Sequence, residues 1–458
     1  MDEVTSHVAS QEVVNAEGIA CGTQDGFIHR NLDPSQQQIR LLKICAGNQA
    51  NIDCDIAHFN FAELPPYRAV SYTWGPAEHT TAIDLNGLPF HVRRNLWDFL
   101  HVAEDKFPDT WLWVDALCID QDNLEERNCQ VRLMQYIFGR AEEVLSWIGL
   151  ARWGFGHSDL LTMINTGLYS AYSARHDIND DLLLQVDKND VLLKRQIDDT
   201  RRFLKFVQHN YLAIEMFFAQ SYWRRIWIIQ EVRFARKHLI IYGRTTITAS
   251  KLNQFITSIR NRDSWKEWHF PLTYQYAWAV LNPPSNVAEF SLSNVVLTYR
   301  KSLCTDLRDR IFGVMSLVNE NVRIEIDYGT SAFELYFLTL GRIAQTEWIH
   351  QTKETIRCTG DLKLALGLCA DDADDIDDSF ARSFVDHAIR CRPRLLTLEK
   401  WLGFLERRAK KPVTGKSSKK SGMRESHTLT ESITYPPMKA SVAARIAASN
   451  ARKYFDRV

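Results

Sequence analysis

Asp115 interrupts an otherwise apolar run, Trp111-Leu112-Trp113-Val114-Asp115-Ala116-Leu117-Cys118, where an unpaired carboxylate would be costly. The run predicts a strand buried on both faces. Asp115, Cys118, Asp120 and Gln121 then fall near its carboxyl end, the edge at which open α/β sheets bind ligands. Glu126 and Gln130 follow four residues apart and share a helix face, while Arg127 points elsewhere. Two readings fit these residues. One is a polar pocket built from Asp115, Gln121 and Glu126. The other is a buried hydrogen-bonded network that fixes the strand to its helix.

A second cluster runs from Tyr222 to Glu231. Trp223, Trp227 and Gln230 recur at spacings of four and three, so one helix face could present all of them. Arg224 and Arg225 could pair with Glu231 or hold an anion. The competing reading is an amphipathic helix docked by its indoles. A third cluster, Asp306-Leu307-Arg308-Asp309-Arg310-Ile311-Phe312, reads as a helix start. An aspartate in the first turn suits the helix dipole, and an arginine of this run is available for an ion pair.

Other chemistries are poorly served. Thr414-Gly415-Lys416-Ser417 has the end of a phosphate-binding loop, but Lys410 stands where its first glycine belongs. Cys118 and Cys129 lie eleven apart without nearby histidine partners, so no metal site is expected. No G-x-S-x-G, H-E-x-x-H, C-x-x-C or G-x-G-x-x-G occurs.

The elements that must position these clusters can be read in order. Residues 1–35 are polar and aperiodic and are expected to form a flexible leader. Ile39–Ile44 and Tyr67–Trp74 predict strands. Ala82–Leu85 and Leu88–Val92 flank Asn86-Gly87, a strong hairpin signal. Residues 94–104 carry a helical stripe of Leu96, Phe99, Leu100 and Ala103. After the 111–118 strand, Asp120 or Asp122 can cap a helix striped by Val131, Met134, Ile137, Phe138 and Ala141, with Glu125 three residues beyond Asp122. Val144–Gly149 and Leu239–Gly243 complete the strands. Strand, helix and strand at this spacing make a β-α-β unit with a parallel core.

The expected fold is therefore α/β over residues 36–245, a parallel sheet with flanking helices. A mainly helical region, 246–404, packs on it, and a basic, disordered tail spans 405–458. Broken helices are expected over 150–210, and the six aspartates between Asp371 and Asp378 predict a solvated loop.

Composition bounds the function. Of 458 residues, 45% are hydrophobic and 24% charged, as in ordinary globular proteins. Lys and Arg number 55 against 56 Asp and Glu, a balance that argues against a dedicated nucleic-acid binder. No apolar stretch is long enough to span a membrane. Nine cysteines scattered from Cys21 to Cys391 suit reduced intracellular thiols. These features suggest the cytoplasm, with the basic tail as a route to the nucleus. The 13 tryptophans, set in short polar-flanked motifs, are the unusual item.

Taken together, ordered blocks resemble the fungal heterokaryon-incompatibility domain family. They are Tyr67-Arg68-Ala69-Val70-Ser71-Tyr72-Thr73-Trp74-Gly75, Asn95-Leu96, Leu112–Gln121, Glu126-Arg127, Gln130-Val131, Met134, Ala141, Val144–Gly149 and Trp223–Val232. Asp309–Gly313 and Ile326-Asp327-Tyr328 resemble elements found downstream of the domain. Asp120 departs from the family, which commonly carries Asn there.

The resemblance implies non-self recognition, in which hyphal fusion triggers growth arrest or cell death through assembly with itself or a signalling partner. Trp74, Cys118, Gln121, Gln130, Trp223, Arg225, Trp227 and Gln230 become the candidate binding or interface residues. A remote TIR-like relation of the fold brings in NAD as a candidate substrate, with no cofactor established. Glu126 or Glu231 would then be the catalytic acid and Asp115 would orient the site. A non-toxic regulator that retains the domain is the third reading.

Overall fold

The computed structural model describes residues 27–33, 36–45, 51–151, 157–165, 203, 206–207, 210–260, 273–282, 291–347 and 352–368. The acidic 371–378 segment and the basic 405–458 segment lie outside the described residues, as do most of 1–35 and all of 166–202.

A nine-stranded mixed sheet organises the chain. Its strands are β1 (Gln38–Ile44), β2 (Asp53–Asn60), β3 (Tyr67–Tyr72), β4 (Thr80–Leu85), β5 (Leu88–Arg93), β6 (Trp111–Trp113), β7 (Glu143–Gly149), β8 (His238–Tyr242) and β9 (Thr245–Thr248). They lie in the order β5-β4-β2-β1-β6-β3-β7-β8-β9. The central β6, β3, β7 and β8 are mutually parallel. Antiparallel pairs β1–β2 and β4–β5 extend one side, and β9 closes the other. The parallel core expected from the sequence is thus the middle of a larger mixed sheet. β2 carries Asp53, Asp55 and His58 among its eight residues, a composition that hides a strand until β1 pairs with it along its whole length.

The Asn86-Gly87 turn forms as its chemistry requires. Both residues have positive φ, 51° and 77°, in the tight connection that favours this dipeptide. Helix α1 (Arg94–Lys106) buries Leu96, Phe99, Leu100 and Ala103. The 111–118 run departs from expectation. After three residues of β6 the chain turns into a single helical turn, α2 (Asp115–Cys118). A short apolar run does not distinguish a strand from a buried helical turn. Helix α3 (Leu124–Arg140) is capped by Asn123, whose side chain accepts from the Glu126 amide at 3.1 Å, rather than by Asp120 or Asp122.

Helices α4 (His157–Asn165), α5 (Tyr211–Phe218), α6 (Ile228–Arg233), α7 (Ala249–Arg260) and α8 (Tyr274–Leu281) follow. Most join a cluster with β8 and β9 around Trp223, Phe217 and Tyr242. Beyond them come α9 (Leu292–Tyr299), α10 (Asp309–Phe312), α11 (Ala332–Glu347) and α12 (Thr352–Ala365). Their apolar residues, including Val296, Phe312, Leu340 and Leu362, share one continuous core with the sheet residues Leu41, Val70 and Trp113. Among the described residues, no helix is long and apolar enough to cross a membrane.

Candidate functional site

The four parallel strands, numbered by appearance, lie in the order 2-1-3-4, so the chain changes direction across the sheet at β3. Ligand crevices in doubly wound sheets open at that point, beyond the carboxyl ends of the strands. A cavity of about 900 Å³ lies there. Thr73, Trp74 and Gly75, which follow β3, line it together with Asp115 and Gln121, which follow β6. Arg225, Trp227 and Glu231 supply another wall, and the segment from Leu303 to Asp309 with Tyr328 supplies the cover.

Asp115 begins α2 and is tied down on both oxygens. Its Oδ1 accepts from the Ala116 amide at 2.8 Å, and its Oδ2 accepts from the Trp74 indole at 2.8 Å. Burial pushes its pKa up, while Arg225, the Trp74 indole, the Ala116 amide and the Tyr72 hydroxyl favour the carboxylate. The Arg93 guanidinium lies over the Trp74 ring, 5.1 Å from its centroid. Gly75 follows at φ +79°, where a Cβ would stand 3.4 Å from that of Asn95. Asn95 holds this corner from behind, accepting from the Trp147 indole at 3.0 Å and donating to the Thr73 carbonyl. Gln121 donates to the Asp115 carbonyl at 2.9 Å.

Glu231 is only 3% exposed. Ser71 donates to its carboxylate at 2.5 Å. Burial raises its pKa to about 7; Arg225 and Ser71 favour the carboxylate, and Asp115 opposes it. Arg225 is itself anchored by donation to the Tyr72 carbonyl. Asp115 and Glu231 therefore share one guanidinium, and Asp115 makes Glu231 harder to ionise.

Asp309 completes the set, and the sequence reading as a helix cap missed it. It accepts from the Tyr328 hydroxyl at 2.7 Å and from the Trp227 indole at 3.1 Å, and burial raises its pKa to about 6. Arg127 sits over the Tyr328 ring at 3.8 Å, and Arg308 packs on it at 5.4 Å. The recurrence of Asp309 and Tyr328 in blocks that resemble downstream family elements was the available signal. Of the arginines in this run, Arg308 forms the ion pair, with Asp306 at 2.6 Å, while Arg310 donates to the backbone carbonyls of Ser302 and Ala365.

Other sequence candidates lie elsewhere. Glu126 does not line the cavity. It forms a buried pair with Arg40, with contacts of 2.5 and 3.0 Å, and accepts from the Asp120 amide at 2.7 Å. The pocket of Asp115, Gln121 and Glu126 therefore divides into two cavity residues and one core ion pair.

Trp223 and Trp227 do not share a helix face. Residues Ser221–Arg224 form a tight helical turn, Arg225 is extended, and α6 starts at Ile228. Trp223 is buried against Phe217 and donates to its carbonyl at 3.0 Å, which removes it from any surface interface in this fold. Trp227 points into the cavity wall. Trp113 and Trp147 are also fully buried, so these tryptophans build the core and the cavity rather than a docking surface.

Gln130 bonds the Gln38 carbonyl at 2.9 Å, and Gln230 accepts from Ser316 at 2.7 Å; both are buried away from the cavity. The Cys118 thiol is buried, its pKa pushed up to about 12 by burial, the opposite of a reactive cysteine. Among the described residues, no three His, Cys, Asp or Glu side chains are grouped to hold a metal ion.

A mixed α/β sheet with a helical cover and a polar, indole-walled cavity at the carboxyl edge of its parallel strands is the class that fold and site define. Residues 67–231, from the first residue of β3 to the cavity carboxylate of α6, match the family described as heterokaryon incompatibility protein (HET). Over those residues the chain carries a domain similar to that family. It is also similar to heterokaryon incompatibility protein 6, OR allele, of Neurospora crassa, with 23% identity over 374 residues, covering 71% of this chain and 54% of the relative. The chain thus spans about half the length of that relative. No solved structure matches it, and no likeness specific to TIR domains emerges.

Proposed function

We propose that this chain serves fungal non-self recognition, and that its heterokaryon-incompatibility domain triggers growth arrest or programmed cell death through assembly with itself or a signalling partner in the cytoplasm. The observation that carries this reading is the family match over residues 67–231, supported by the relative that bears the incompatibility name. The cavity adds a place where a ligand could bias assembly, since the helical cover and the sheet meet there. Inducible expression of the full chain in a fungal host tests it. Growth arrest with the protein in a self-associated or partner-bound state is expected. Normal growth at a verified level of soluble protein overturns it and favours a non-toxic regulator.

One observation favours a second reading, cleavage of NAD. Glu231 is a buried carboxyl whose pKa is raised to about 7, as suits a group that exchanges a proton at neutral pH. Asp115 and Arg225 flank it, and Trp74 and Trp227 offer ring faces for a planar base. With Glu126 committed to Arg40, Glu231 is the acid in this reading and Asp115 orients the site. Incubating the purified full chain with NAD and following nicotinamide release decides it. Release that is lost in Glu231→Gln supports the reading, and no release at high protein concentration in an assembled state removes it.

A further inference from the structure

Glu231 does not end at the cavity wall. Its Oε2 meets Ser71 Oγ at 2.5 Å, and Ser71 Oγ meets the Tyr222 hydroxyl at 2.8 Å. That hydroxyl donates to Ser146 Oγ at 2.5 Å, and Ser146 Oγ meets His238 Nε2 at 2.5 Å. Ser71 and Ser146 are register partners on β3 and β7, and His238 opens the adjacent β8. The line therefore runs across three parallel strands, from the buried cavity carboxyl to the imidazole of His238, a residue of intermediate burial. We infer that Ser71, Tyr222, Ser146 and His238 form a proton relay that carries the proton of Glu231 between the cavity and His238.

A count of protons makes the inference specific. The line has four contacts, and each needs one proton. The three hydroxyls supply one apiece, so the fourth comes either from the Glu231 carboxyl or from His238 Nε2–H. When Glu231 is the acid, every donor points toward His238. Nε2 then accepts from Ser146, and the proton of the neutral ring sits on Nδ1. When Glu231 is the carboxylate, every donor points toward Glu231, and Nε2–H donates to Ser146.

The passage between the two states balances. The carboxyl O–H bond breaks as Ser71 takes that proton, and Ser71 passes its own to Tyr222. Tyr222 passes its own to Ser146, and Ser146 passes its own to Nε2. Nδ1 then releases one proton to solvent. Glu231 loses its proton along the hydrogen-bonded line, and His238 changes tautomer with no net change of charge.

The surrounding groups keep the line in this two-state form. Burial raises Glu231, Arg225 favours its carboxylate, and Asp115 opposes it. Burial holds the Tyr222 phenol far above its ordinary range, so it passes protons as a neutral group. Burial alone lowers His238, to about 4, with no charged neighbour acting on it, so the ring is neutral when Glu231 titrates.

This relay rests on Glu231 facing the cavity, as in the reading of the cavity as a reactive site, but its test reads no activity. Absent NAD cleavage would therefore leave it intact. The measurement is nitrogen NMR of the histidine-labelled full chain from mildly acidic to mildly alkaline pH, with His238 assigned through His238→Gln. The two ring nitrogens of His238 should exchange shifts, with the midpoint of the Glu231 carboxyl carbon. Glu231→Gln should abolish that exchange. Tyr222→Phe should leave Glu231 titrating while His238 no longer follows, and Ser146→Ala cuts the same line should Tyr222→Phe fail to fold. A His238 tautomer that stays constant while Glu231 titrates overturns the relay, as does one that follows Glu231 equally well with the line cut.

Discussion

Glu231 folds into a site where its carboxyl is protonated up to about pH 7, against an ordinary value of 4.5. Because the folded pKa is raised, the native state binds this proton where the unfolded chain has lost it. Its contribution is full below about pH 4.5 and fades as pH rises toward about 7. Asp309, raised from 3.8 to about 6, acts in the same direction over a lower window. His238, lowered from 6.5 to about 4, acts oppositely, with stability lost as pH falls through that range. The difference between the native chain and Glu231→Gln isolates the first group. Urea unfolding should show Glu231→Gln gaining stability relative to the native chain between mildly acidic and mildly alkaline pH, on the order of 3 kcal/mol for a shift of this size. A difference that does not vary with pH would contradict the raised value.

Glu126 makes the contrasting residue-scale case. Arg40 is 1% exposed and also donates to the Cys118 carbonyl at 2.9 Å, so it has no route to water when its partner is removed. Glu126→Gln should cost about 3–5 kcal/mol, the range for a buried charge left unpaired, measurable as a fall in the denaturation midpoint. It should leave the cavity groups untouched. The sequence marked Glu126 as unusual, but its partner lies 86 positions away, beyond what helix or strand spacing can express. The same holds for Asp309, whose donors Trp227 and Tyr328 come from different parts of the chain.

At the scale of elements, what the sequence made legible followed local chemistry. The Asn86-Gly87 hairpin, the face of α1 and the apolar strands β3 and β7 each depend on neighbours a few residues away. What it hid depended on pairing. β2 is too polar to announce itself, and the helical turn at Asp115 looks like the continuation of an apolar strand. That turn is what aims Asp115 at Trp74. The corner behind it depends on Asn95, which starts near α1 yet bonds across to Thr73 and Trp147. Asn95→Ala leaves the indole of the fully buried Trp147 without its acceptor. It should cost about 1–3 kcal/mol and loosen Trp74. A drop in melting temperature together with a red shift of tryptophan fluorescence would register both effects. Unchanged values would mean the corner is held by other contacts.

For the whole molecule, the helical region after β9 is part of the structure that makes the site. Leu292, Ile311, Phe312 and Leu340 join the same core as the sheet, and Asp309, Arg308 and Tyr328 line the cavity. A fragment limited to residues 36–245 should therefore lose the cooperative melting transition of the full chain by circular dichroism. A fragment that melts as sharply as the whole would separate the helical region from the domain.

The cavity at the carboxyl edge of β3 and β6 is where the domain is proposed to act. The most direct test of that proposal is growth of a fungal host that expresses the full chain as Asp115→Asn, Glu231→Gln or Arg244→Ala at matched soluble levels. Arg244 pairs with Asp105 at the exposed surface and is not among the residues that line the cavity. The account predicts that growth arrest is lost in the two cavity variants and kept in Arg244→Ala. Arrest that persists undiminished in both Asp115→Asn and Glu231→Gln would contradict it.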